Sequence, residues 1–182
     1  IKLGLSKKAV KEEGKKIKIV YTPINGSGYV PVTKVLAKMG IDVTVVEEQT
    51  AYDGNFPTVE VPNPENKAAL KMAIDLADKL GADVVFGTDP DCDRLGVAVR
   101  NNEGEFVGLT GNQVGALLLE YVLMRLKAEN KMPENAVAIK SFVSTNLAKA
   151  ICDAYGVQLM ETPVGFKFIG EKIKEFEQSK DK

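Results

Sequence analysis

Residues 17–46 read Ile17-Lys18-Ile19-Val20-Tyr21-Thr22-Pro23-Ile24-Asn25-Gly26-Ser27-Gly28-Tyr29-Val30-Pro31-Val32-Thr33-Lys34-Val35-Leu36-Ala37-Lys38-Met39-Gly40-Ile41-Asp42-Val43-Thr44-Val45-Val46. The apolar run Ile17 to Thr22 predicts a strand that stops at Pro23, and Asn25-Gly26-Ser27-Gly28 a flexible turn. Pro31 suits the first turn of a helix, where a missing amide hydrogen costs nothing, and that helix runs through Met39. Gly40 closes it, and the β-branched Val43 to Val46 is the next strand. Strand, helix and strand in succession are the building unit of a parallel sheet.

The same alternation extends outward. Asp53 to Pro64, carrying Gly54, Pro57, Pro62 and Pro64, is irregular. It leads into a helix over Glu65 to Leu80, where Ala69, Met72, Ala73, Leu76 and Leu80 share one face. Gly81 ends that helix. Ala82 to Phe86 is a buried strand, and Leu95 to Val99, Asn101-Asn102-Glu103-Gly104 and Phe106-Val107 read as a hairpin. The order is βαβαβ with an added β-ribbon. A second unit starts near Leu109, with helices over Gly111 to Lys127, Thr145 to Tyr155 and Phe168 to Phe176, and strands over Ala136 to Phe142 and Val157 to Glu161. The fold class is α/β, in two consecutive domains, residues 1–108 and 109–182. A faint repeat links them: Leu36 to Val43 and Cys152 to Leu159 share a helix end, a glycine and a strand start.

Composition narrows the chemistry. Lys and Arg number 24 against 25 Asp and Glu, a net charge of −1 that provides no long-range field for nucleic acid. The longest apolar stretch, Val114 to Met124, contains Glu120 and falls short of the roughly 20 residues that cross a bilayer. No membrane partner is expected. Cys92 and Cys152 stand alone, which fits a reducing cytoplasm rather than a disulfide framework. With 0 His in the chain, imidazole acid–base work and Ser-His or Cys-His nucleophiles are excluded. Ile1 opens the chain without an initiator Met or a signal pattern, which reads as a piece of a longer protein. The Lys-rich first 18 residues and the charged last twelve read as solvated helical faces.

The sharpest motif is Gly87-Thr88-Asp89-Pro90-Asp91-Cys92-Asp93-Arg94, directly after Val84-Val85-Phe86. Three carboxylates at alternating positions past a strand end repel unless a cation sits between them. Oxygen donors select a hard divalent ion, and Mg²⁺ fits because it accepts a few carboxylates while keeping positions for water or a phosphate oxygen. Together with Arg94 that ion neutralises the loop. A bare acidic turn, its Asp side chains capping backbone amides, is the bland alternative. A calcium helix–loop–helix fails on counting, since its sixth and twelfth positions from Asp89 are Arg94 and Arg100 rather than Gly and Glu. An aspartyl phosphohydrolase of the haloacid-dehalogenase-like type, with Asp89 as nucleophile and Asp91 as acid or base, stays open. So does a non-catalytic metal-binding module.

The glycines say less. Gly26-Ser27-Gly28 begins a dinucleotide fingerprint that Pro31 breaks, and Gly165 to Gly170 imitates a phosphate loop that Glu171 interrupts. A tight connection accounts better for Gly26 and Gly28. In Thr162-Pro163-Val164-Gly165-Phe166-Lys167, Gly165 permits close backbone approach and Lys167 can meet a phosphate as a point charge; a surface lysine is nearly as good a reading.

Tyr21 to Gly28, Thr88 to Leu95 and Thr162 to Lys167, taken together, resemble the α-D-phosphohexomutases, closest to the phosphoglucomutase and phosphomannomutase branch. The resemblance spans nearly the whole chain. It implies two consecutive three-layer α/β/α domains with mixed, mostly parallel sheets, the second and most of the third of four domains around one cleft. It assigns Mg²⁺ to Asp89, Asp91 and Asp93, a phosphate contact to Arg94, and cleft-lining positions to Gly165 and Lys167. It implies hexose phosphates and hexose 1,6-bisphosphate as partners, with phosphate carried by a serine of the first domain. No Ser-His segment and no Glu-rich sugar loop occur in these residues, so the chain by itself is expected to be inactive.

Overall fold

The computed structural model describes residues 4–179. The readings of the charged ends that rest on Lys2, Lys180, Asp181 and Lys182 therefore lie outside the described residues. The chain divides into two compact units, Ile1–Gly111 and Asn112–Lys182.

The first unit holds helix α1 (Lys7–Glu13), strand β1 (Lys18–Thr22), helix α2 (Tyr29–Met39), strand β2 (Asp42–Val45), helix α3 (Lys71–Leu80), and strands β3 (Val84–Thr88), β4 (Leu95–Arg100) and β5 (Phe106–Leu109). The sheet order is β2-β1-β3-β4-β5. β1 pairs parallel with both β2 and β3, with Val20 opposite Thr44 and Val85, whereas β4 and β5 add antiparallel. Ile19, Val20, Tyr21 and Thr22 of the interior strand β1 are all buried, as expected where both faces of a parallel sheet are covered. One face packs Val20, Val85 and Ala98 against Leu70, Ala73 and Ala77. The two alanines let α3 lie close to the strands. The Arg100 guanidinium stacks 4.1 Å from the Phe106 ring and bonds Asp78, tying the β4–β5 ribbon to α3.

Two element starts in the first unit fall two or more residues later than the sequence expectation. The helix expected from Glu65 starts only at Lys71. Asn63 Oδ1 accepts the Glu65 amide and Asn66 Oδ1 accepts that of Ala68, so Asx turns hold the backbone that a helix would need. The strand expected from Ala82 starts at Val84, because the Ala82 amide completes the α3 cap on Ala77 O at 2.9 Å.

The second unit holds helix α4 (Gly111–Ala128), strand β6 (Val137–Ser141), helix α5 (Leu147–Tyr155), strand β7 (Gln158–Thr162) and helix α6 (Phe166–Gln178). β6 and β7 pair parallel, Ala138 opposite Leu159. Leu123 of α4 and Cys152 of α5 pack with Ala136, Ala138 and Leu159 on one side of this sheet, while Ile173 and Phe176 of α6 meet Val137 and Ile139 on the other. The faint repeat is a shared helix cap: the Ile41 amide reaches Leu36 O as Val157 reaches Cys152 O, with Gly40 and Gly156 left-handed. Among the described residues no helix is long and apolar enough to cross a membrane.

Candidate metal centre

β1 continues through α2 to β2 on one side and the chain then returns through α3 to β3 on the other. The crevice at the carboxyl ends of β1 and β3 is thus a topological switch point, where open α/β sheets place their ligands. Two loops meet there, residues 23–28 after β1 and residues 89–94 after β3. The Ser27 amide donates to Pro90 O at 2.8 Å and its hydroxyl to the same oxygen at 3.0 Å. A Cβ on Gly26 would lie 2.3 Å from Pro90 Cα, and one on Gly28 would lie 2.4 Å from Tyr21 Oη and 2.5 Å from Thr88 Oγ1. Close approach of the other loop is therefore the reason for Gly26, and crowding by the Tyr21 and Thr88 side chains at the strand ends the reason for Gly28. The left-handed backbone falls instead on Ile24 (φ 45°) and Asn25 (φ 56°). Such strain persists only where surroundings over-determine it. Here Gln49, fully buried, accepts the Thr22 hydroxyl and donates to Thr58 at 2.9 Å, while Asn25 donates to Ala51 O at 2.9 Å. Nothing in the sequence singles out Gln49; its side-chain partners come from two separate segments.

The metal-loop side chains converge. One oxygen from each of Asp89, Asp91 and Asp93 lies within 4.8 Å of the others. Octahedral Mg²⁺ at roughly 2.0–2.1 Å per ligand holds oxygens about 3 to 4 Å apart, so a small closure of exposed side chains suffices. Asp89 is fully buried, and Asp91 and Asp93 are exposed. The Arg94 amide donates to Asp89 Oδ1 at 2.9 Å and its Nε to Oδ2 at 2.6 Å. Each oxygen keeps a second lone pair for a ligand. Cys92, with φ 63° and its amide on Asp89 O at 3.0 Å, turns the loop so that residues on either side of it face together.

The electrostatics match an anionic cradle. Burial pushes the Asp89 carboxyl up, but the Arg94 amide, guanidinium and charge outweigh it and hold it below the usual carboxylate range. The Asp91 charge, with that of Asp89 adding, raises Asp93 against the pull of Arg94. Three carboxylates with one guanidinium leave two negative charges, which a divalent cation cancels. The donor set fits Mg²⁺. The phosphohydrolase alternative finds no support: the Arg94 amide and guanidinium hold both Asp89 oxygens and draw off the basicity a nucleophile needs.

Gly165 and Lys167 belong to the second unit. Gly165 precedes α6 with φ 130° and ψ 131°, a conformation that glycine alone adopts readily. A Cβ there would meet nothing closer than Phe168 at 3.7 Å, so among the described residues the backbone angle, not crowding, requires glycine. Lys167 is exposed, its ammonium 4.9 Å from the Phe168 ring.

A metal-type acidic loop at the switch point of a three-layer α/β/α unit defines a class, and the comparisons give the family. Residues 3–104 match the family profile for phosphoglucomutase/phosphomannomutase α/β/α domain II, and residues 110–179 that for domain III. The chain belongs to the phosphoglucomutase/phosphomannomutase family. It is 36% identical over 159 residues to the phosphoglucomutase of Staphylococcus epidermidis, covering 87% of this chain and 28% of that protein. It is also 36% identical over 171 residues to the phosphomannomutase of Mycoplasmoides pirum, covering 93% and 30%. The chain thus spans under a third of these relatives and is an internal fragment of such a protein. A crystal structure of a phosphoglucomutase/phosphomannomutase family protein from Burkholderia thailandensis shares the fold, with TM-score 0.69 and 21% identity over 92% of this chain and 36% of that one.

Proposed function

We propose that residues 1–108 are the metal-loop domain, and residues 109–182 most of the following domain, of a cytoplasmic mutase that interconverts hexose 1-phosphate and hexose 6-phosphate. The observation that carries this reading is the convergence of Asp89, Asp91 and Asp93 beside Arg94 at the switch point, in a chain of this family. Asp89, Asp91 and Asp93 would hold Mg²⁺, which when bound stabilises charge on a phosphoryl group in transfer, an effect worth several kcal/mol. Arg94 anchors Asp89 through Nε while its side chain stays 54% exposed, leaving guanidinium hydrogens for a phosphate oxygen. Gly165 and Lys167 would contact the sugar phosphate in the complete enzyme, Lys167 as a point charge. The phosphoryl group passes from a serine outside these residues to the free sugar hydroxyl. The resulting bisphosphate returns its other phosphoryl group to that serine. The fragment lacks that nucleophile and is inactive alone.

Calorimetric titration of the 182-residue chain with Mg²⁺ tests the cradle. One cation should bind, and Asp91→Asn should weaken it by about tenfold or more. Absence of binding, or binding indifferent to Asp91→Asn, overturns the reading. Turnover of glucose 1-phosphate by the chain alone overturns the inactivity.

A further inference from the structure

Two costs fall on one short turn. Cys92 has φ 63°, a region that glycine enters freely and a residue with a β-carbon enters at a cost. The carboxylates around it add the second. One oxygen from each of Asp89, Asp91 and Asp93 lies within 4.8 Å of the others, and like charges so close repel. Arg94 binds Asp89 directly through both its amide and Nε, so the repulsion that is left acts between the two exposed carboxylates, Asp91 and Asp93. Backbone strain of this kind persists only where the surroundings impose it, and it gathers where function uses it.

What imposes it is a notch beneath the turn. Cys92 is half-buried, while Asp91 and Asp93 on either side are exposed, so the thiol points inward. Its Sγ crowds the bare backbone of Gly28 together with two hydroxyls: a Cβ on Gly28 would lie 2.4 Å from Tyr21 Oη, 2.5 Å from Thr88 Oγ1 and 3.0 Å from Cys92 Sγ. Tyr21 is fully buried and its hydroxyl is 2.8 Å from that of Thr88, so the floor of the notch is fixed by the paired strands β1 and β3. A small, polarisable thiol suits such a floor. With the middle residue of Asp91-Cys92-Asp93 held inward, its neighbours project together on the outer side.

We propose that Cys92 is a positioning residue for the metal cradle: its inward side chain, seated against Tyr21 and Thr88, holds Asp91 and Asp93 together before a cation arrives. The repulsion between them is then met during folding and not at binding, which is preorganisation of the ligand set. Cys92 acts through its two neighbours. The inference rests on the metal reading proposed above and adds to it what sets the spacing of the outer two ligands.

Glycine at this position separates positioning from packing. Cys92→Gly removes the inward anchor, relieves the left-handed backbone and lets the two carboxylates part. A residue that matters only to the fold would lose stability and affinity together. Mg²⁺ is titrated calorimetrically into the native 182-residue chain, Cys92→Gly and Cys92→Ser under reductant, and urea unfolding of each is followed by tyrosine fluorescence in metal-free buffer. Cys92→Gly should bind Mg²⁺ about tenfold more weakly, as loss of a group that orients a ligand commonly does, with its urea midpoint unchanged or higher. Cys92→Ser keeps a small side chain for the polar notch and should bind as the native chain does. Native affinity in Cys92→Gly overturns the proposal, as does a joint fall of affinity and urea midpoint. Cys92→Ser binding as weakly as Cys92→Gly overturns it too. A native chain that binds no Mg²⁺ overturns the metal reading and the positioning role with it, whereas equal binding by all three chains removes the role of Cys92 alone.

Discussion

Gly26→Ala tests whether the two site loops are as tightly apposed as the structure has them. The new Cβ would sit 2.3 Å from Pro90 Cα and 2.6 Å from Pro90 O, against backbone that has no rotamer to escape through. Ordinary van der Waals contact needs about 3.5–4.0 Å, so the loops must part by more than about 1 Å. That parting breaks both Ser27 hydrogen bonds to Pro90 O, at about 0.5–1.5 kcal/mol each, and adds overpacking strain of about 1–3 kcal/mol. The expected loss is about 3 kcal/mol. For a unit of this size it lowers Tm by roughly 10–20 °C. Gly54→Ala is the internal control, since a Cβ there meets nothing within 4 Å. Because Trp numbers 0, urea unfolding is followed by tyrosine fluorescence, with Tyr21, Tyr29 and Tyr52 reporting on the first unit. If Gly26→Ala falls within about 0.5 kcal/mol of Gly54→Ala, the apposition is wrong.

Three further outcomes follow from other parts of the molecule. Gln49→Ala strips the Thr22 and Thr58 hydroxyls of a buried partner and opens a void, so urea unfolding should show a loss of about 2–4 kcal/mol; a loss under about 1 would refute the role given to this side chain. Burial, with the Cys92 potential adding and the Thr88 bond opposing, pushes the Tyr21 hydroxyl up to about 12. Tyr21 is thus neutral longer in the folded chain than in the unfolded one. Its contribution, about 2–3 kcal/mol, is complete below pH ~10 and lost between pH ~10 and ~12. Comparison of alkaline unfolding in the native chain and Tyr21→Phe should show that difference, and parallel curves would refute it. Asn130, at φ 52° after α4, should gain up to about 1 kcal/mol as Asn130→Gly in thermal unfolding, whereas a loss would mean its side chain matters more than its backbone.

The elements were legible where one stretch of sequence held the whole signal. β1, α2 and β2 carry their own periodicity and their own stops, Pro23 and Gly40, and the structure puts each within two residues of its expected bounds. α3 misled because apolar spacing extends back to Ala69 while Asn63 and Asn66 bind nearby amides, a competition that periodicity does not register. The convergence of Asp89, Asp91 and Asp93 was readable for a similar reason, since a single five-residue turn contains all three. Arg94 was placed beside a phosphate by resemblance, but its two bonds to Asp89 had no signal in the residue order. Gln49 and the Ser27–Pro90 contact escaped notice because their partners become neighbours only when the sheet forms. Gly165 was read as permitting close backbone approach; its φ of 130° is a second requirement for glycine that residue order does not display.

The Pro90 carbonyl that steadies the acidic turn is held by Ser27, far back along the chain, across two parallel strands. Native contacts of such long sequence separation form late in folding. A nascent chain that has only just emerged as far as Arg94 lacks β4, which β3 needs on its other side. The acidic turn therefore settles into its final shape late in the synthesis of the first unit, once the β4–β5 ribbon has docked against β3.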